Sequence, residues 1–217
     1  MPEKLAADLI EALPETQAAA ILLELEPDAA ASIVNEMESD EQADVIGRFS
    51  EADAEAVLEQ MRPEQASNAR WLLEYPSDSA GGLMVTEFLS YVDNLRVEDV
   101  VADLRKHAQK YRKLEVQYAY VVTSTGDLAG VLRLRDLLLA SSDERIVQYM
   151  IRNPQSMCVD ATLEELERFF DRHAWFGVPI VDKEGRMVGV VRRGDVEQAA
   201  EERASRSFLK FMGIMGG

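Results

Sequence analysis

Cysteine and histidine are scarce in this chain, and each scarcity removes a class of chemistry. Cys158 is the one cysteine among 217 residues. It can form neither an internal disulfide nor a multi-cysteine zinc site, and reads as a small core hydrophobe. The two histidines, His107 and His173, stand too far apart in the sequence to suggest a metal centre or a catalytic base. No Ser–His–acid grouping, P-loop or Gly-x-Gly-x-x-Gly pattern occurs, so nothing points to an enzyme. No apolar run approaches the roughly 18 residues that span a bilayer, and no secretory leader pattern opens the chain. The expectation is a soluble, intracellular protein. Basic residues are also few where they would matter most: residues 1–83 carry 19 acidic against 4 basic side chains, and the whole chain has a formal charge of -17. Phosphate backbones need a basic face, so nucleic acid is excluded as an expected partner. A surface this acidic repels itself and is relieved by cations.

What is present divides into two patterns. Residues 1–75 read as short helices, with openings at Pro14, Pro27, Ser39, Ser50 and Pro63, spaced by 13, 12, 11 and 13 residues. Each opening sets a first-turn Pro or a capping Ser beside acids that suit the positive end of a helix dipole. Apolar residues at helical spacing come next, such as Val45, Ile46 and Phe49. Helices this short cannot bury a face alone and must stack into a superhelix. Tyr75-Pro76-Ser77-Asp78-Ser79-Ala80-Gly81-Gly82 then breaks the pattern, and residues 76–83 form the expected junction.

Beyond it strands and helices alternate, and one unit occurs twice. Gly130-Val131-Leu132-Arg133-Leu134-Arg135-Asp136 returns 59 residues later as Gly189-Val190-Val191-Arg192-Arg193-Gly194-Asp195, and the same offset carries Gly126 onto Gly185. Such a repeat predicts one supersecondary unit used as a pseudo-twofold pair. The predicted helices are Val97–Tyr111, Arg135–Ala140, Ile146–Met150 and Leu163–His173, with a last one from about Asp195. The predicted strands are 90–92, 118–123, 128–132, 156–159, 178–181 and 187–191.

The doubled β-α-β-β-α unit resembles a CBS-domain pair. Together with the acidic helices and the Tyr75–Thr86 segment, it is similar to the cytosolic part of MgtE-type magnesium transporters over essentially the whole chain. The implied fold is α plus α/β. An acidic helical domain (1–75) precedes the junction, CBS copy 1 (84–140), CBS copy 2 (141–200) and a connecting, plug-like helix (201–217) that leads to a transmembrane domain. The resemblance implies a homodimer formed through the CBS pair at the cytoplasmic face of the membrane. It also implies that Mg2+ at acidic interfaces gates a divalent cation channel. Carboxylates held close together are costly, and a hard dication with oxygen ligands removes that cost.

By this resemblance Asp78 and Asp195 are metal ligands. The bland alternative is that Asp78 caps the next turn and Asp195 its own helix. A CBS cleft often holds ATP or another adenine nucleotide, and Tyr118 and Trp175 would then flank the base, Asp136 bind ribose and Arg135 approach phosphate. Core packing is the alternative for both aromatics. The chain departs from the family pattern where Arg203 and Arg206 replace expected Glu, Gln198 and Ala174 replace expected Asp, and Arg133 and Arg192 replace a Ser or Thr. The second functional reading is a free-standing CBS protein that senses energy state through an adenine nucleotide; the third is a helical scaffold that the CBS pair merely dimerises.

Overall fold

The computed structural model describes residues 2–111 and 118–211. Six helices fill the first third: α1 (Pro2–Glu11), α2 (Glu15–Leu23), α3 (Pro27–Val34), α4 (Ser39–Ile46), α5 (Glu51–Gln60) and α6 (Pro63–Leu72). Their starts obey local chemistry. Pro27 and Pro63 occupy first-turn positions, where a missing N–H costs nothing, and the Ser50 hydroxyl accepts from Asp53 N at 3.2 Å. Each helix packs on the next but one, α1 on α3, α2 on α4, α3 on α5 and α4 on α6, so two rows interleave. The seam is alanine-rich, with Ala18, Ala30, Ala31 and Ala69 buried alongside Leu22, Val34 and Val45. Small side chains let short helices approach closely, and together they bury what none could bury singly.

The junction is tied by hydrogen bonds to the second copy of the repeat. The short helix α7 (Ala80–Leu83) is capped by the Ser79 hydroxyl, which accepts from Gly82 N at 3.3 Å. Ala80 N and Gly81 N donate to Ala161 O and Val159 O at 2.7 and 2.9 Å. A side chain would not fit here. A Cβ on Gly81 would lie 2.4 Å from the Tyr75 ring, and one on Gly82 2.3 Å from the Pro76 carbonyl oxygen.

The repeat itself forms two small sheets. The first runs β1 (Ser90–Val92), β2 (Tyr118–Val122), β3 (Leu128–Arg133), β4 (Ile151–Arg152); β1 is parallel to β2, and the remaining pairs are antiparallel. The second runs β5 (Met157–Cys158), β6 (Gly177–Val181), β7 (Met187–Arg192), with β5 parallel to β6. The repeat holds at the level of individual peptides. Both hairpins shift register at the same place, Val121/Val122 and Ile180/Val181, and both turn through a Gly at positive φ, Gly126 at 90° and Gly185 at 87°. Across the pair, Leu128 N donates to Gly185 O at 3.3 Å and Met187 N to Gly126 O at 3.0 Å. Those reciprocal bonds are the signature of an internal twofold.

The helices are α8 (Val97–Lys106), α9 (Ala108–Tyr111), α10 (Leu134–Leu137), α11 (Leu163–Arg172) and α12 (Arg193–Phe211). α11 carries a full capping box, Thr162 with Glu165. Several expectations shift. The helix predicted over Val97–Tyr111 breaks at His107, where the Asp103 carboxylate binds His107 Nδ1 at 2.8 Å and accepts from the Tyr91 and Tyr111 hydroxyls at 2.9 Å each. The Arg135–Ala140 helix contracts to α10, and Ile146–Met150 to one 3-10 turn, Ile146–Gln148. The edge strand β4 was not expected, being too short for an alternation to register. α12 is continuous through residue 200, so the helix closing the second copy and the predicted connecting helix are one; residues 212–217 lie outside the described residues. No helix among the described residues is long and apolar enough to cross a membrane.

The helical layer shares a core with the second copy. Ala43 and Leu72 join Leu83, Met84, Val178, Ile180 and Val191 in one buried cluster, with Trp71 and Tyr75 packed against it. The junction should therefore be less tolerant than the start of α12. Gly82→Ala must displace backbone and should cost about 1–3 kcal/mol. Gly194→Ala meets nothing within 4 Å and should be stabilising by up to about 1 kcal/mol. Thermal melting of the two variants should move in opposite directions.

Candidate functional site

The residues that matter lie where α4 crosses the end of β7 and the start of α12. α4 brings Glu38 and Asp40 to this crossing in the turn that begins it, and Glu41 and Asp44 along the next. Ser39, buried at 1% exposure, fixes that turn: its hydroxyl accepts from Thr86 N at 2.9 Å and donates to Glu87 at 2.7 Å. Asn68 of α6 adds a bond to Thr86 Oγ1 at 2.9 Å. The helical layer is thus pinned to the segment entering the first copy as well as to the second.

Arg192 ends β7 and points its guanidinium into this crossing. Nε donates to Asp195 at 2.7 Å, Nη1 to Glu38 at 2.6 Å and Nη2 to Asp40 at 3.2 Å. One cation therefore meets three carboxylates from two separate parts of the fold. A few ångströms along α4 the balance reverses. Glu15 of α2, Asp40, Glu41 and Asp44 of α4, and Asp195, Gln198 and Glu202 of α12 line a cavity of about 40 Å³, room for a few water molecules. Burial pushes Asp40 up to about 7; Arg192 opposes this, while Asp195 and Glu38 add to it. Burial likewise raises Glu41 to about 8, helped by Asp40 and Asp44, and Asp44 to about 7, helped by Glu15 and opposed by Arg48. Asp195 is also raised, because its burial outweighs its bond to Arg192. Removing carboxylates from water and facing them together disfavours the charged form. Among the described residues, no three Asp, Glu, His or Cys side chains converge closely enough to hold a metal ion directly.

A larger cavity of about 760 Å³ opens between the two copies on the other side of Arg192, lined among others by Phe88, Tyr118, Tyr120, Phe176, Arg193 and Asp195. Tyr118, expected at a nucleotide base, lines it; Arg135, Asp136 and Trp175 do not. Arg135 is exposed and lies 3.5 Å from Asp136, which is half-buried. Trp175 belongs to an aromatic cluster with Phe169 and His173, at ring separations of 5.6 and 5.0 Å. Arg193 organises that loop: its guanidinium donates to the carbonyls of Phe170 at 2.7 Å, Trp175 at 3.0 Å and His173, and lies over the Phe170 ring. Asp78 is exposed, its carbonyl accepts from Leu163 N at 2.9 Å, and it lines neither cavity that Asp195 lines. Asp78 and Asp195 therefore share neither cavity.

The charge of residues 1–83 assigns them the acidic role but distinguishes neither Asp40, Glu41 and Asp44 among them nor Arg192 as the counterion of Glu38, Asp40 and Asp195. The available signal was the Ser39-Asp40-Glu41 helix opening beside an arginine at a repeat position.

The model of the MgtE intracellular N domain matches residues 1–78, and that of the CBS domain matches residues 146–202. The magnesium transporter MgtE of Thermus thermophilus is 35% identical over 150 residues, which are 68% of this chain and 32% of that protein. Its Bacillus subtilis counterpart is 27% identical over 154 residues, 71% of this chain and 34% of that protein. The chain thus spans about a third of the length of these curated relatives. Among solved structures, the cytosolic domain of the Mg2+ channel MgtE in complex with ATP superposes with a TM-score of 0.83 at 31% identity, covering 91% of this chain and 80% of that one. The soluble part of a magnesium transporter gives 0.85 at 26% identity, covering 94% and 80%. Acidic helical layer, junction and CBS pair agree in order and in arrangement with these structures, and the chain belongs to the MgtE family of magnesium transporters, corresponding to its cytosolic domain.

Proposed function

We propose that this chain is the Mg2+-sensing regulatory domain of a divalent cation transporter, acting as a homodimer through its CBS pair and coupled to a transmembrane domain. The observation that carries the proposal is the facing of Glu15, Glu41 and Asp44 with Glu202 across the α4–α12 cavity. Mg2+ keeps several waters and is commonly held through one or two carboxylates. A hydrated ion among these acids suits the donor set without requiring three to converge directly. When the ion leaves, repulsion between the helical layer and α12 grows, and that change is the signal. Asp195 borders the same cavity and is proposed in this role; Asp78 lies outside that cavity, and a ligand role for it would belong to a separate site.

A second reading concerns the CBS pair. The 31% identical cytosolic domain was solved with ATP, and we propose that an adenine nucleotide binds here too, with Asp136 taking the ribose, Arg135 approaching phosphate, and Tyr118 and Trp175 near the base. Calorimetry should detect ATP or AMP binding that Asp136→Ala weakens by roughly tenfold or more, the loss expected for a charge-assisted ribose contact. No heat from any adenine nucleotide would remove this reading.

For sensing, Mg2+ should raise the melting temperature and compact the dimer more than Na+ of equal ionic strength, as measured by calorimetry and small-angle scattering. An equal effect of the two salts would count against specific sites. The same acids give a pH dependence. Asp40, Glu41 and Asp44 have folded-state values raised to about 7, 8 and 7. Their folded forms hold protons that the unfolded chain has released above its ordinary carboxylate range. Stability from these groups is present near pH 4 and is lost as pH rises to about 8.5. In metal-free buffer the melting temperature should fall between about pH 5 and 8.5. Asp44→Asn should flatten that slope, and Mg2+ should offset it at the alkaline end.

A further inference from the structure

The acids at the α4 crossing are not all alike: a guanidinium holds Glu38, Asp40 and Asp195, the last two at the edge of the small cavity, whereas Glu41, Asp44 and Glu202 line that cavity without it. Glu38, Asp40 and Asp195 share Arg192 at 2.6, 3.2 and 2.7 Å. Two of them belong to the helical layer and the third begins α12, so the contact bridges the same two bodies that a bridging metal ion would. Arginine suits this position for three reasons. It stays charged at any physiological pH, its flat fork can address several carboxylates at once, and it loses less hydration than an ammonium when partly covered. Arg192 is 28% exposed and Asp40 9%, so the pairing is sheltered from full solvent screening. A dication placed among the same three carboxylates would lie against the guanidinium and be repelled by it.

Further along α12 the opposite holds. Arg203, which stands where the family resemblance suggested an acid, pairs with Glu167 of α11 at 2.9 Å. That bond lies within the second copy and does not cross to the helical layer. Among the described residues Arg192 is therefore the cation that links the two bodies; Glu15 pairs with Arg48 inside the helical layer, and Glu41, Asp44 and Glu202 are left to an ion from solution.

We infer that Arg192 is a tethered substitute for one metal ion at this interface, so that the helical layer stays seated on the second CBS copy at Mg2+ concentrations too low to hold it by carboxylates alone. Arg192 sets the threshold of the response rather than supplying it. The inference rests on the sensing reading only for the word threshold; the clamp itself stands without Mg2+.

The test uses the full chain with Cys158→Ser and spin labels at Glu59→Cys and Asp171→Cys, two exposed positions on α5 and α11. Pulsed dipolar spectroscopy then reports the separation of helical layer and second copy. In chelator, the background protein should keep a larger short-distance population than Arg192→Gln. Titration should show that Arg192→Gln needs roughly tenfold more Mg2+ to regain it, equivalent to about 1.4 kcal/mol. Arg192→Lys keeps the charge but loses the fork and should fall between the two, and circular dichroism checks that all three are folded. Identical distance distributions in chelator together with identical Mg2+ midpoints for the background protein and Arg192→Gln would overturn the inference. If Arg192→Gln is more open in chelator but Mg2+ closes it no better than Na+ of equal ionic strength, the clamp stands and the sensing reading fails.

Discussion

The arrangement of this molecule depends on carboxylates that are kept close to one another and away from water. α4 presents its acids to α12 because Ser39 locks its first turn onto Thr86 and Glu87, and because Ala43 and Leu72 are buried in the core of the second copy. Apolar burial of this kind is non-directional and persists whatever the ions in solution do. The electrostatic term is directional, and its sign changes with the counterion present. On the proposed reading, the layer combines a constant attraction through its core with an ion-dependent repulsion along its rim, the balance that two states require.

The twofold within the CBS pair contributes the second half of that balance. Both hairpins share the register shift, the positive-φ glycine and the reciprocal Gly126–Met187 and Gly185–Leu128 bonds. Symmetry of fold does not extend to symmetry of use. Arg192 and Asp195 of the second copy face the helical layer, whereas the matching Arg133 and Asp136 do not line that interface. A single repeated unit is therefore specialised by what is packed against it, with the helical layer sharing a core with one copy.

Much of this was legible in the residues. Proline and serine at regular spacing marked the helix starts of the acidic layer; Pro27, Ser50 and Pro63 act locally on the first turn, whereas the Ser39 hydroxyl reaches away to Thr86 and Glu87. The repeat marked the strands and glycine turns, because a hairpin is short-range and its glycine is required by backbone geometry. Legibility failed where distant parts meet. His107 ends α8 through a bond to Asp103 that also engages Tyr91 and Tyr111, and no helical periodicity records a three-way contact. Asp78 stood out as the one acid of the junction, yet its carbonyl is taken by Leu163 N and the residue lines neither cavity. Arg192 was visible as an odd residue at a repeat position, but its partners Glu38 and Asp40 lie 154 and 152 positions away in sequence.

Helix α12 has one further property. It starts next to Arg192 and runs for 19 residues without interruption, a rod of about 28 Å at the usual rise per residue. Pivoting such a rod by roughly 10° about its first turn carries its other end through about 5 Å. Were α12 to pivot at its interface with α4, sub-ångström changes in carboxylate spacing near its first turn would become displacements of several ångströms at its far end.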